Sequence, residues 1–138
     1  MWLMTKHGFY SIVQKKQGEF HIRARVRKDL ENLVTRMPLA GAKIRSSKET
    51  DYPYRLIAGR EVVTKVIQFL GDTLDYSNFK STVAEIRDQQ EKLPVYEQIW
   101  HMLLDKFGGY GKIASQQKTS TPQQRKPECT LPLNNVQG

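Results

Sequence analysis

Residues 20–28, FHIRARVRK, place His21, Arg23, Arg25 and Arg27 at every second position. In an extended strand alternate side chains share a face, so the four cations project together at intervals of about 6.6 Å. Guanidinium groups at that spacing match successive phosphates of an extended nucleic-acid strand, and they neutralise charge without reading sequence. Pairing about the Gln17-Gly18 turn predicts Lys15 opposite Phe20, Val13 opposite Ile22 and Ser11 opposite Ala24. Tyr10 and Ile12 then join the cationic face, with Tyr10 beside Arg25 as a stacking surface. Lys15 and Lys16 extend the basic strip at the hairpin end. Such a face predicts RNA or DNA as partner. The competing reading is a solvated face, or one covered by helices whose acids pair the arginines.

A second cluster is DYPYR, in which Asp51 and Arg55 bracket Tyr52 and Tyr54. It reads either as a polar pocket lined by two phenols and an ion pair, or as a turn leading into an edge strand. Other chemistry finds little footing. His7, His21 and His101 show no HxH, HxxxH or HExxH spacing, and one cysteine, Cys129, makes neither a disulfide nor a thiolate zinc site. There is no G-x-S-x-G elbow, Walker loop or G-x-G-x-x-G. The glycines of FGGYGK follow a helix and read as its C-cap. The expectation is therefore a binding protein, not an enzyme, with no cofactor and no metal.

The elements that must carry these residues follow from periodicity. Residues 2–14 are aromatic and β-branched and predict one strand, broken or bulged near Gly8. Residues 20–28 alternate as the second strand of a hairpin. Asp29 is placed to cap a helix carrying Leu30, Leu33, Val34 and Met37, which Pro38 ends. Strands at 42–47 and 54–58 flank the turn SKETD, and helices follow over 60–74, 78–86 and from Pro94 onward. Asp75 or Ser77 is the expected cap of the middle one. The last helix has a broad apolar face of Tyr96, Ile99, Trp100, Leu103, Leu104 and Phe107. The order ββαββααα predicts an α+β fold: a four-stranded antiparallel sheet of two hairpins with helices packed on one face.

Charge is unevenly distributed along the 138 residues. The net +8 resides in residues 1–60, which carry +8, while 61–112 carry −2 and 113–138 carry +2. Residues 1–112 read as a single compact domain. Residues 113–138, rich in Gln, Pro, Ser and Thr, read as a disordered tail. The opening MWLMTKHGFYSIV lacks a basic segment followed by an unbroken apolar run, and no apolar run is long enough to span a membrane. These features predict a cytoplasmic protein.

Met1-Trp2 with Thr5, Gly8, Phe9, Tyr10 and Ser11, then DYPYR at 51–55, DYSNFK at 75–80 and VYEQIWHML at 95–103, form a distinctive ordered set. In that order they resemble a widespread family of small bacterial proteins built on a domain of unknown function. The resemblance covers residues 1 to about 107 and implies a single bacterial domain, with no activity, ligand or catalytic residue attached. The expected role is thus an accessory or regulatory domain that binds nucleic acid through its basic hairpin. The alternatives are a protein-interaction module, an inhibitor or adaptor with an acidic partner, and a homo-oligomer pairing through the edge strand near Tyr52–Ala58.

Overall fold

The computed structural model describes residues 1–37, 39 and 42–108. The expected tail, the glycines from Gly109 onward and Pro38 lie outside the described residues. Five strands, β1 (Trp2–Thr5), β2 (Gly8–Lys16), β3 (Glu19–Ala24), β4 (Arg45–Ser46) and β5 (Tyr54–Ala58), form one antiparallel sheet in the order β1-β2-β3-β5-β4. Four helices accompany it: α1 (Arg27–Arg36), α2 (Arg60–Asp72), α3 (Phe79–Glu85) and α4 (Leu93–Phe107), the last preceded by a 3₁₀ turn at Gln90–Lys92. The fold is α+β, as the periodicity predicts, with one strand more.

The extra strand arises because residues 2–14 fold back on themselves. The Thr5 hydroxyl accepts from the backbone N–H groups of His7 and Gly8, both at 3.2 Å, and donates to the Gly8 carbonyl at 2.9 Å. That hydroxyl closes a tight turn where a single bent strand is expected. Gly8 is required there for space. A Cβ at this position would lie 2.6 Å from the Asp29 Cβ and 2.9 Å from the Tyr10 hydroxyl.

The second difference is one of register. Gln14 faces Phe20 and Ile12 faces Ile22, but Lys16 faces Glu19, so the ladder shifts between Gln14 and Lys16. One extra residue in β2 exchanges the two faces of that strand. Tyr10 and Ile12 consequently turn inward with Phe20, Ile22, Ala24 and Leu56, where Leu30 and Leu33 of α1 and Val63, Val66 and Leu70 of α2 cover them. Phe9, Ser11 and Val13 turn to the other face, which contributes none of the core residues. At the hairpin end Gly18 takes a φ of 75°, the left-handed value the Gln17-Gly18 turn needs.

The expected helix caps also differ. Val26 is the N-cap of α1 and makes no side-chain cap bond, and Asp29 sits inside the first turn. Its carboxylate, 1% exposed, instead accepts from the Phe9 N–H at 3.1 Å and the Gln89 amide at 3.3 Å, and forms an ion pair with Lys92. Asp29 therefore ties β2, α1 and the turn before α4 together. For α3 the cap is Asn78, accepting from Ser81 N–H at 3.0 Å, while Asp75 pairs with Lys6. The strand expected at 42–47 is reduced to Arg45–Ser46.

Residues Met1–Ile99 pack as one unit, and a second begins at Trp100. Of the second, Trp100–Gly108 are described: the end of α4, where Trp100 lies edge-on to His101 and Trp100, Leu103 and Phe107 are exposed. No helix among the described residues is long and apolar enough to cross a membrane.

Candidate polyanion interface

Directly opposed residues of an antiparallel sheet project to the same face. On the face away from the core, the pairings Trp2 with Ser11, Ser11 with Arg23, Arg23 with Arg55 and Arg55 with Arg45 form one row across all five strands. Three successive members of that row are arginines. Like charges directly opposed on neighbouring strands destabilise a sheet by roughly 0.2–1 kcal/mol per pair.

Local hydrogen bonds hold the guanidinium groups of Arg23 and Arg55, and that of Arg25, without neutralising them. Arg23 donates to the Ser11 hydroxyl at 2.8 Å, and Arg55 to the Thr50 hydroxyl at 2.9 Å and the Tyr52 carbonyl at 3.2 Å. Arg25, just beyond β3, donates to the Asp51 carbonyl at 3.3 Å. Arg23 and Arg25 both lie over the ring of Tyr52, at 4.5 and 4.7 Å from its centroid. The acceptors are hydroxyls, carbonyls and a π face, never a carboxylate. Among the described residues, the acids that make ion pairs serve Lys6, His21, Arg27, Lys65 and Lys92 instead. Charge here is positioned, with Arg23 and Arg55 half-buried, and no carboxylate among the described residues pairs with it.

Several expected site residues are placed differently. Tyr10 is fully buried, with its hydroxyl donating to the Asp29 carbonyl at 2.9 Å, so it offers no stacking surface. Burial, with Asp29 close by, pushes its phenol far above the ordinary range. Arg27 is not on the strand: it opens α1 and pairs with Glu31 four residues on. His21 keeps the cationic face, pairing with Glu19 at 3.0 Å. Lys15 and Lys16 are exposed at the hairpin end. The DYPYR residues take separate places. Tyr52 is buried under two arginines, Tyr54 packs against the core, Arg55 joins the row, and Asp51 contributes its carbonyl.

Two members of the row are not apparent in FHIRARVRK: Arg55 and Arg45 reach it only through pairing of β3 with β5 and β5 with β4. The alternation Tyr54-Arg55-Leu56 carries a local sign of it, since a strand burying Leu56 must turn Arg55 outward. Trp2 is the third. It is 67% exposed and meets Phe9 edge-on, ring centroids 5.8 Å apart. It replaces Tyr10 as the aromatic beside the cations.

On the opposite side of the β1–β2 turn a polar cleft of about 690 Å³ is lined by Lys6, His7, Arg36, Phe69, Asp75 and Tyr76, among others. His7 stacks on Phe69 at 5.4 Å, and its Nε2 is buried without a hydrogen-bond partner among the described residues. Burial first, then Arg36 and Lys6, lowers its pKa to about 4. The imidazole is neutral at physiological pH. No group of three or more His, Cys, Asp or Glu placed to hold a metal occurs among the described residues.

No protein-family model, no curated protein and no solved structure matches this chain.

Proposed function

We propose that this protein binds a polyanion, RNA or DNA, through the arginine-bearing face of its sheet, in an accessory or regulatory role. One observation carries the reading: Arg23, Arg55 and Arg45 stand directly opposed on three adjacent strands, with no carboxylate between them. A folded sheet accepts that repulsion at some cost, and phosphates laid across the row relieve it. Arg25 continues the charge beyond the end of β3, and Trp2 supplies an exposed aromatic at the other end of the row. The contacts available are to phosphates, so binding is largely independent of sequence and weakens steeply with salt.

Fluorescence anisotropy with a labelled single-stranded RNA, at 50 and 200 mM salt, tests it. Arg23→Glu combined with Arg55→Glu is expected to abolish binding, while Arg87→Glu, at an exposed position after α3, leaves most of it. Unchanged binding in the double variant overturns the interface. Polyglutamate competing as well as RNA favours an acidic protein partner instead.

A further inference from the structure

Beside the arginine row lies a small apolar cavity of about 200 Å³. Its walls include Phe9, Arg25, Val26, Val95, Tyr96 and Ile99. Two of these belong also to the cationic face: Phe9 meets Trp2, and Arg25 lies over Tyr52. The face and the cavity are therefore continuous. Asp29, Lys92 and Glu91 also reach the cavity: Asp29 and Lys92 answer each other's charge, and the exposed Glu91 sets a carboxylate, an acceptor for a base's N–H edge, at its rim. The Tyr96 hydroxyl is buried and has no hydrogen-bond partner among the described residues. Burial, with Asp29 nearby, holds that phenol in its neutral form, able to donate.

We infer that this cavity takes one nucleobase of a single strand whose phosphates lie along the arginine row. The inference rests on the polyanion reading and narrows it. Drug-sized ligands occupy pockets of roughly 300–1,000 Å³, so about 200 Å³ suits one planar ring system and little more. Apolar walls with the unanswered Tyr96 hydroxyl and the Glu91 carboxylate among them are the environment an unstacked base needs: ring faces against apolar side chains, and edge atoms hydrogen-bonded. Arg25, at the junction of cavity and row, holds the phosphate of the same nucleotide. A duplex keeps its bases stacked and paired and gains nothing from the cavity, so the ligand is single-stranded.

The test is anisotropy with a labelled 12-nucleotide single-stranded RNA, in competition with the same oligomer built from abasic nucleotides and with inorganic polyphosphate. Base-bearing RNA is expected to compete at least about 5-fold better than the abasic oligomer. Val95→Trp, at an exposed position on the cavity rim, is expected to remove that advantage and leave polyphosphate competition and the salt slope unchanged. Tyr96→Phe, which deletes only the hydroxyl, is expected to lose about 2- to 10-fold for RNA and nothing for polyphosphate, the range for one hydrogen bond. Equal binding of base-bearing and abasic oligomers overturns the base pocket while the polyanion reading stands. Full RNA affinity in both variants does the same. Failure of RNA and polyphosphate alike overturns both.

Discussion

Arg45 is the place where the interface can be tested by charge alone. It is exposed, lies opposite Arg55, and its side chain makes no hydrogen bond or ion pair with the described residues. Replacing it disturbs no packing and breaks no bond. Two unit charges about 6 Å apart repel by roughly 0.7–3 kcal/mol for an effective dielectric between that of water and about 20. Measured cross-strand like-charge pairs lie lower, at roughly 0.2–1 kcal/mol. Arg45→Gln is therefore expected to stabilise the free protein by about 0.5 kcal/mol, a rise in Tm of roughly 2–4 °C for a domain of about 100 residues. Arg45→Glu, which turns repulsion into attraction, is expected to roughly double that.

Binding moves the other way. Four arginines contacting a single-stranded nucleic acid, Arg23, Arg25, Arg45 and Arg55, give a slope of log affinity against log salt of about −2.8, so a fourfold rise in salt weakens binding roughly 50-fold. Removing one charge brings the slope to about −2.1 and the loss to roughly 20-fold. The assay pairs a thermal melt with anisotropy titrations at 50 and 200 mM salt for wild type, Arg45→Gln and Arg45→Glu. A more stable protein that binds less tightly, with a shallower slope, is the signature of a functional charge row. Variants that bind as well as wild type, or that melt lower, refute the reasoning, because then the row is neither repulsive nor used.

Further outcomes follow from other residues. Lys92→Met leaves the buried Asp29 carboxylate without its counter-charge and is expected to cost about 3–5 kcal/mol in urea unfolding, far more than Lys65→Met, whose exposed pair with Glu61 is worth roughly 0.5 kcal/mol or less. Gly8→Ala forces its new methyl into Asp29 and is expected to destabilise by about 2 kcal/mol or more, read in the same assay. His7, held near 4 in the folded protein against 6.5 when unfolded, takes up its proton more readily in the unfolded chain. Its contribution is thus complete above pH 6.5 and is lost as pH falls toward 4, by at most about 3 kcal/mol. His7→Phe, which keeps the stack on Phe69, is expected to flatten stability across that window; an unchanged slope would assign the pH dependence elsewhere. Binding of RNA is expected to quench Trp2 in a Trp100→Phe background, and no quenching removes Trp2 from the interface.

What could be read from the chain beforehand, and what could not, divides along sequence distance. Helix positions followed from local periodicity, because an amphipathic stripe is written into consecutive residues: Val63, Val66 and Leu70 declare the inner side of α2 without reference to anything else. The Gln17-Gly18 turn was legible for the same reason. The faces of β2 were not. Alternation in GFYSIVQKK is ambiguous, since Phe9 and Val13 are as apolar as Tyr10 and Ile12, and one bulged residue near Lys15 settles the matter. That shift put Ser11 rather than Ile12 opposite Arg23, and turned Tyr10 inward, which withdrew the expected stacking surface beside Arg25. Asp29 was misread because its partners stand 20, 60 and 63 residues away, beyond any local pattern.

The cationic site shows the same division from the other side. A run of alternating arginines on one segment is easy to see and overstated the site, because Arg27 belongs to a helix and has its own glutamate. The row that forms runs perpendicular to the chain, taking one arginine from each of three strands. Sequence spacing holds no record of it: Arg23 and Arg55 meet only because β5 pairs with β3, and Arg45 joins through a two-residue strand that no periodicity would mark. An arrangement assembled from distant segments against its own electrostatic repulsion is unlike the solvated face of an ordinary sheet. There, opposite charges or neutral side chains face one another across strands, and the cost vanishes. The repulsion is therefore the feature on which the proposed interface rests, and if the row binds a polyanion, stability and binding are expected to move in opposite directions at the same residue.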